Sequence, residues 1–220
     1  MTINHHPPED LLADFATGSL DEADHLVVAV HAAQCASCRR FIGAMEHLAG
    51  AALEETAPLA MTGRAFDAVM ARIDQERTDR VRIDETPAAL RPAELPDDGL
   101  PEILRRCHFG KRRRVAPGVK LQPIILPGEG KSRAFLLWSA PGTRMLEHSH
   151  TGTELTCVLK GSFTHQGGRY GPGDFDFGDG EVDHQPIVGA EEPCLCLVAM
   201  TGDLELHGWL GRLISPFVRL

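Results

Sequence analysis

Near residue 81 the sequence changes period, and that change limits the chain to folds built from two unlike parts. Residues 81–100 hold Pro87, Pro92 and Pro96 with Asp97-Asp98-Gly99, the composition of a connecting segment. Before it, apolar side chains recur at helical spacing. After it, short β-type runs alternate with Gly/Pro turns. A chain of 220 residues has room for two ordinary domains. The expectation is an all-α bundle at 1–82, a linker at 83–100 and an all-β sandwich or barrel at 101–220.

The helical half divides at its own breakers. Leu11, Leu12 and Phe15 mark a short first helix that Thr17-Gly18-Ser19 ends. Ser19 or Asp21 can cap a second, which carries Leu26, Val27, Val30 and His31. A third starts near Cys35 with Phe41, Ile42, Met45 and Leu48. A fourth starts near Thr62, and its Phe66, Val69, Met70 and Ile73 fall at i, i+3, i+4 and i+7. The β half has strand candidates at 121–126, 134–139, 155–159 and 193–200.

Charge separates the halves as well. Residues 1–80 carry 6 basic and 13 acidic side chains, whereas residues 101–220 carry 14 and 13. The acidic half repels nucleic acid and suits a basic partner, although acids also simply solvate a small bundle. No apolar run approaches the roughly 18 residues of a membrane span. The start, MTINHHPPED, has neither the basic nor the apolar part of a secretory signal. No membrane helix is expected, and a cytoplasmic location follows. In that reducing setting the six cysteines point to metal or redox chemistry rather than disulfides.

Two constellations carry metal chemistry. The first is His31-x3-Cys35-x2-Cys38. Imidazole and thiolate are the ligands zinc prefers, four to a closed site. On helical backbone these offsets place the three side chains on one face. His5, His6, His25 and His47 are the candidates for the fourth position. The alternative is a redox pair or two packed thiols, but the βαβ setting of a thioredoxin-like motif is missing.

The second constellation is Gly142-x5-His148-x-His150-x3-Glu154-x6-Gly161. Two histidines two apart share a face of a strand, and Glu154 re-enters after a Thr-Gly-Thr bend. Two imidazoles and a carboxylate suit zinc, manganese, iron or nickel. His184, beyond the Pro172-Gly173-Asp174 turn, is favoured to complete the set, with His165 as the alternative.

The first pattern resembles the zinc-binding anti-sigma domain family over residues 1–80. Its distant N-terminal histidine selects His6, 25 positions before His31, over His5. The second pattern resembles the first cupin motif, and the Gly-Pro-Gly-Asp turn with His184 is similar to the second. In their order, the two halves resemble the ChrR family of zinc anti-sigma factors. That resemblance implies a zinc-held helical bundle and a C-terminal cupin barrel, a double-stranded β-helix. It implies a one-to-one complex with an extracytoplasmic-function sigma factor of the sigma-E type, whose activity is blocked. It also implies a fourth helix that reaches onto the sigma factor, and release by an oxidant such as singlet oxygen through the cupin. The implied protein is a regulator, not an enzyme, that touches neither nucleic acid nor membrane. A metal-dependent cupin enzyme, an oxygenase or isomerase fused to a zinc module, is the competing reading. A metal-storage or metal-sensing protein is a third.

Other features have plainer readings. Arg105, Arg106, Lys111, Arg112, Arg113 and Arg114 form a basic cluster with Phe109 as its one interleaved aromatic, which favours a solvated strand over a nucleic-acid surface. Cys194 and Cys196 share a strand face and are expected as small core residues rather than redox sensors. Cys157 alternates with Glu154 and is expected to point away from the metal. The apolar positions of the fourth helix are as consistent with core packing as with a grip.

Overall fold

Helices come first in the chain, and each begins and ends for a local reason. The computed structural model describes residues 2–83, 100–127, 130–145, 147–179 and 185–206, without the side chains of 76–83, 150 and 204–206. Helix α1 (Glu9–Thr17) opens after Pro8 with Glu9 and Asp10 at its positive end. It stops at Gly18, whose φ of 71° turns the chain so that Gly18 and Ser19 N–H bond back to Phe15 and Asp14 carbonyls.

Helix α2 (Glu22–Gln34) has Asp21 at its N-cap position, as expected, but the Asp21 side chain does not cap it. The carboxylate instead accepts a bond from Lys131 N–H at 3.0 Å, across to the β half. Helix α2 buries Ala23, Leu26, Val27, Val28, Val30, His31 and Ala32, most of its circumference rather than one stripe. One side meets α1 and α3 (Ala36–Glu54), and the other lies on a β-sheet. Helix α3 buries Cys38 and Ile42 near its start, while Leu48 and Leu53 further on are exposed. Helix α4 (Ala65–Ile83) has every side chain from 66 to 75 exposed.

After the short helix α5 (Glu102–Arg105), the chain is antiparallel β. The main sheet contains β1 (His108–Phe109), β2 (Arg113–Ala116), β3 (Val119–Ile125), β4 (Arg133–Ser139), β6 (Glu154–Lys160), β9 (Phe175–Gly178) and β11 (Cys194–Met200). Its order is β1-β3-β4-β11-β6-β9, with β2 also paired to β3. Strands β7 (Phe163–His165), β8 (Gly168–Tyr170) and β10 (Ile187–Val188) make a second sheet. Strands β5 (His148–His150) and β12 (Leu204–Leu206) form a ribbon. This is the cupin arrangement expected for the C-terminal half.

Strand β11 shows how the layers stack. All seven of its residues are buried, so alternation cannot separate core from solvent. It separates two cores instead. Leu195, Leu197 and Ala199 pack with Leu155, Cys157, Phe175 and the α2 side chains. Cys194, Cys196, Val198 and Met200 face inward with Val158, Phe163, Tyr170 and Val188. The helices and the main sheet therefore share one apolar layer, and a second core fills the barrel.

Candidate metal centres

The N-terminal group forms at a corner. The sequence suggested that His31, Cys35 and Cys38 meet along helical backbone. The structure ends α2 at Gln34, and Cys35 is extended, with φ −102° and ψ 106°. Cys35 then caps α3, its sulfur accepting from Cys38 N–H at 3.5 Å. The positive end of α3 thus faces two sulfurs that carry negative charge when they bind metal. His31, one turn before the corner, is fully buried.

Of the four candidates for the remaining position, the structure brings in His6. The ligand atoms of His6, His31, Cys35 and Cys38 all lie within 4.8 Å of one another. His6 Nδ1 is 3.4 Å from Cys35 Sγ and 3.5 Å from Cys38 Sγ, and His31 Nε2 is 3.2 Å from Cys38 Sγ. A tetrahedral ion with Zn–S of about 2.3 Å and Zn–N of about 2.0 Å spaces its N and S ligands by about 3.5 Å. Two imidazoles and two thiols at these separations fit a metal ion. His5 turns the other way, its ring 4.2 Å from that of Tyr170, and His25 stacks on Phe15 at 4.3 Å.

The protonation state of His31 agrees with ligation. His31 Nδ1 lies 2.8 Å from the Gly173 carbonyl, which can only accept, so Nδ1 carries the proton and Nε2 keeps its lone pair. Burial lowers the His31 pKa from 6.5 to about 4, so the ring is neutral at pH 7. Burial and the neighbouring Cys35 sulfur push the Cys38 thiol up to about 12. Metal binding must displace that proton, so affinity rises with pH.

The sequence reading missed Gly173 and Asp174. Both lie in the Gly-Pro-Gly-Asp turn between β8 and β9, noticed only as a cupin cue. Asp174 Oδ1 accepts from Asn4 N–H at 2.7 Å and from His5 N–H at 3.0 Å, while Oδ2 accepts from Gly171 N–H at 2.8 Å. Burial raises the Asp174 pKa, but these three N–H groups and the nearby His5 outweigh it and hold the carboxyl below its ordinary value.

The C-terminal set is described in part. His148 is buried on β5, and Glu154 heads β6, where its Oε1 accepts from the Thr156 hydroxyl at 3.1 Å. The backbone of His150 pairs with Leu204. The His150 side chain and all of His184 lie outside the described residues. His165, the alternative to His184, has both ring nitrogens engaged: Nδ1 accepts from Gly167 N–H at 3.0 Å, and Nε2 lies 2.9 Å from Asp176 Oδ2.

The cysteines follow the expected alternation. Cys157 lies in the layer shared with the helices. Cys194 and Cys196 are buried in the barrel with their sulfurs 3.6 Å apart. The Cys194 side chain and burial together push the Cys196 thiol well above its ordinary pKa, as befits inert core residues.

The apolar face of α4 is open, contrary to the core-packing alternative. Phe66 is 73% exposed, Val69 53%, Met70 41% and Ile73 45%. Among the described residues, no helix is long and apolar enough to cross a membrane.

Comparison with known proteins agrees with this architecture. The ChrR cupin-like domain family matches residues 106–203. The anti-sigma-E factor ChrR of Cereibacter sphaeroides is 36% identical over 225 residues, spanning the whole of both chains. The crystal structure of Rhodobacter sphaeroides SigE in complex with the anti-sigma ChrR matches with a TM-score of 0.70 at 32% identity, covering 92% of this chain and 100% of that one. With such identity along its full length, the chain belongs to the ChrR family of anti-sigma factors.

Proposed function

We propose that this protein holds a sigma-E-type extracytoplasmic-function sigma factor inactive in a one-to-one complex in the cytoplasm. The observation that carries this reading is the open apolar face of α4 in a chain that matches an anti-sigma-E factor from end to end. A helix with Phe66, Val69, Met70 and Ile73 in water is unsatisfied alone and is stabilised by a partner surface. The excess of acidic groups in residues 1–80 suits a basic partner such as a DNA-binding factor.

In this reading residues 1–82 form the sigma-binding domain, 83–100 connect, and 101–220 form the cupin. His6, His31, Cys35 and Cys38 bind zinc, supported by the donor set and spacing of the four side chains. The ion's role is structural: it ties the N-terminal tail to the α2–α3 corner. His148, His150, Glu154 and His184 bind a second divalent ion, zinc, manganese, iron or nickel, within the cupin. An oxidant such as singlet oxygen acts through the cupin and shifts the population toward a released state.

Co-purification with the sigma factor encoded beside this chain tests the reading. The expected outcome is a one-to-one complex for the wild-type chain and its loss in the Cys35→Ser, Cys38→Ser double variant. Absence of a complex with the wild-type, zinc-loaded chain overturns the assignment.

A further inference from the structure

The N-terminal metal group belongs to the helices by sequence, but the β half holds two of its four members in place. Residues 3–6 run across the cupin turn between β8 and β9. Asp174 takes the N–H groups of Asn4 and His5 on one carboxylate oxygen, and Phe175 N–H returns a bond to His5 carbonyl at 3.1 Å. The His5 ring lies tilted against that of Tyr170, 4.2 Å between centroids. Ile3 lies so close to Gly173 (φ 87°) that a Cβ there would come within 2.8 Å of its Cδ1. His6 is the next residue, exposed at the surface.

The turn itself is firmly held. Gly173 N–H bonds to Val158 carbonyl at 2.8 Å, and Val158 N–H to Asp174 carbonyl at 3.0 Å, so β6 fixes the direction of the Gly173 carbonyl that receives His31 Nδ1–H. Neighbours of this kind set the tautomer and aim of metal-bound imidazoles.

We propose that the cupin turn Gly171–Asp174 is the outer shell of the N-terminal zinc site: Gly173 positions His31, and Asp174 positions His6 by clamping the tail before it. This inference rests on the zinc reading above. It makes the cupin a determinant of zinc retention by the helical half, and Asp174 a positioning residue rather than a ligand.

The test uses the full chain loaded with zinc, and zinc transfer to a chromophoric chelator is timed. Asp174→Ala is expected to release zinc about 10- to 100-fold faster, the usual cost of losing an outer-shell partner. Asn4→Pro removes one clamped N–H, leaves the cupin turn intact, and is expected to accelerate release in the same direction. Cobalt in place of zinc supplies a readout that general loosening would not mimic. In both variants the d–d bands of the tetrahedral site should change as His6 leaves, while the thiolate-to-cobalt charge transfer persists. Should Asp174→Ala fail to fold, Asn4→Pro decides. A wild-type chain that binds zinc, with variants that match its release rate and cobalt spectrum, overturns the outer-shell role alone. A wild-type chain that binds no zinc overturns the zinc reading and this inference together.

Discussion

Asp24 sits where α2 meets the start of β4, and its carboxyl is raised from 3.8 to about 6. Burial is the main cause and the Asp21 carboxylate adds to it. Ser132 nearby offsets only part, and among the described residues Asp24 Oδ1 makes no hydrogen bond. For an acid whose folded pKa is raised, the neutral form favours folding. That contribution is complete below pH 3.8 and is lost as pH rises through about 6. At pH 7.5 the charged Asp24 therefore opposes folding. Asp24→Asn should stabilise the protein by roughly 1 kcal/mol at pH 7.5, after allowance for solvent screening, and by nothing at pH 4. Thermal melts at the two pH values check this, and equal shifts at both would refute it. His31 runs with the opposite sign. Its folded pKa is lowered to about 4, so the neutral ring favours folding above pH 6.5, and that contribution fades as pH falls toward 4.

At the scale of elements, α4 is the case to probe, because its apolar positions have helical period yet no cover. Phe66→Glu and Met70→Glu should each weaken the sigma complex at least about 30-fold, the loss typical of a hot-spot residue. The free protein should melt within about 1 °C of wild type, since both side chains already face water. Titration calorimetry beside a melt separates the two effects, and a lowered melting point with unchanged affinity would return the face to a structural role. The period of α4 was legible in the sequence and its exposure was not, because an apolar stripe looks the same whether the surface it meets is in the same chain or another. The meeting of His31, Cys35 and Cys38 was legible through spacing, but its geometry was not. Offsets of four and three fit a continuous helix as well as the extended Cys35 that joins two helices. His6 was separable from His5 only by resemblance. In the structure the neighbouring rings part: His6 joins the helices' Cys/His group, whereas His5 lies against Tyr170. Of the second set, the structure describes His148 on β5 and Glu154 at the start of β6.

Across the whole molecule, the sequence divides cleanly at its Pro-rich segment, but the core does not. Period and composition see only what each half buries by itself. They miss that α2 is apolar on the side facing away from its own bundle, where Val27 and Val28 are fully buried in the layer shared with β6 and β11. A layer common to helices and sheet couples their stabilities, since removing a side chain from it leaves a void lined by both. Leu197, at the centre of β11 and fully buried against that layer, is the residue to test. Leu197→Ala should cost about 2–5 kcal/mol. Denaturant unfolding of the zinc-loaded chain, followed by helical circular dichroism and by Trp138 fluorescence with Trp209 replaced by Phe, distinguishes two arrangements. A joint core requires the two transitions to coincide in wild type and to move together in Leu197→Ala. Independent domains would leave the helical transition in place while the fluorescence transition moves. In a joint core, a change in the cupin alters the energy of the helical bundle, with no separate messenger between the two halves.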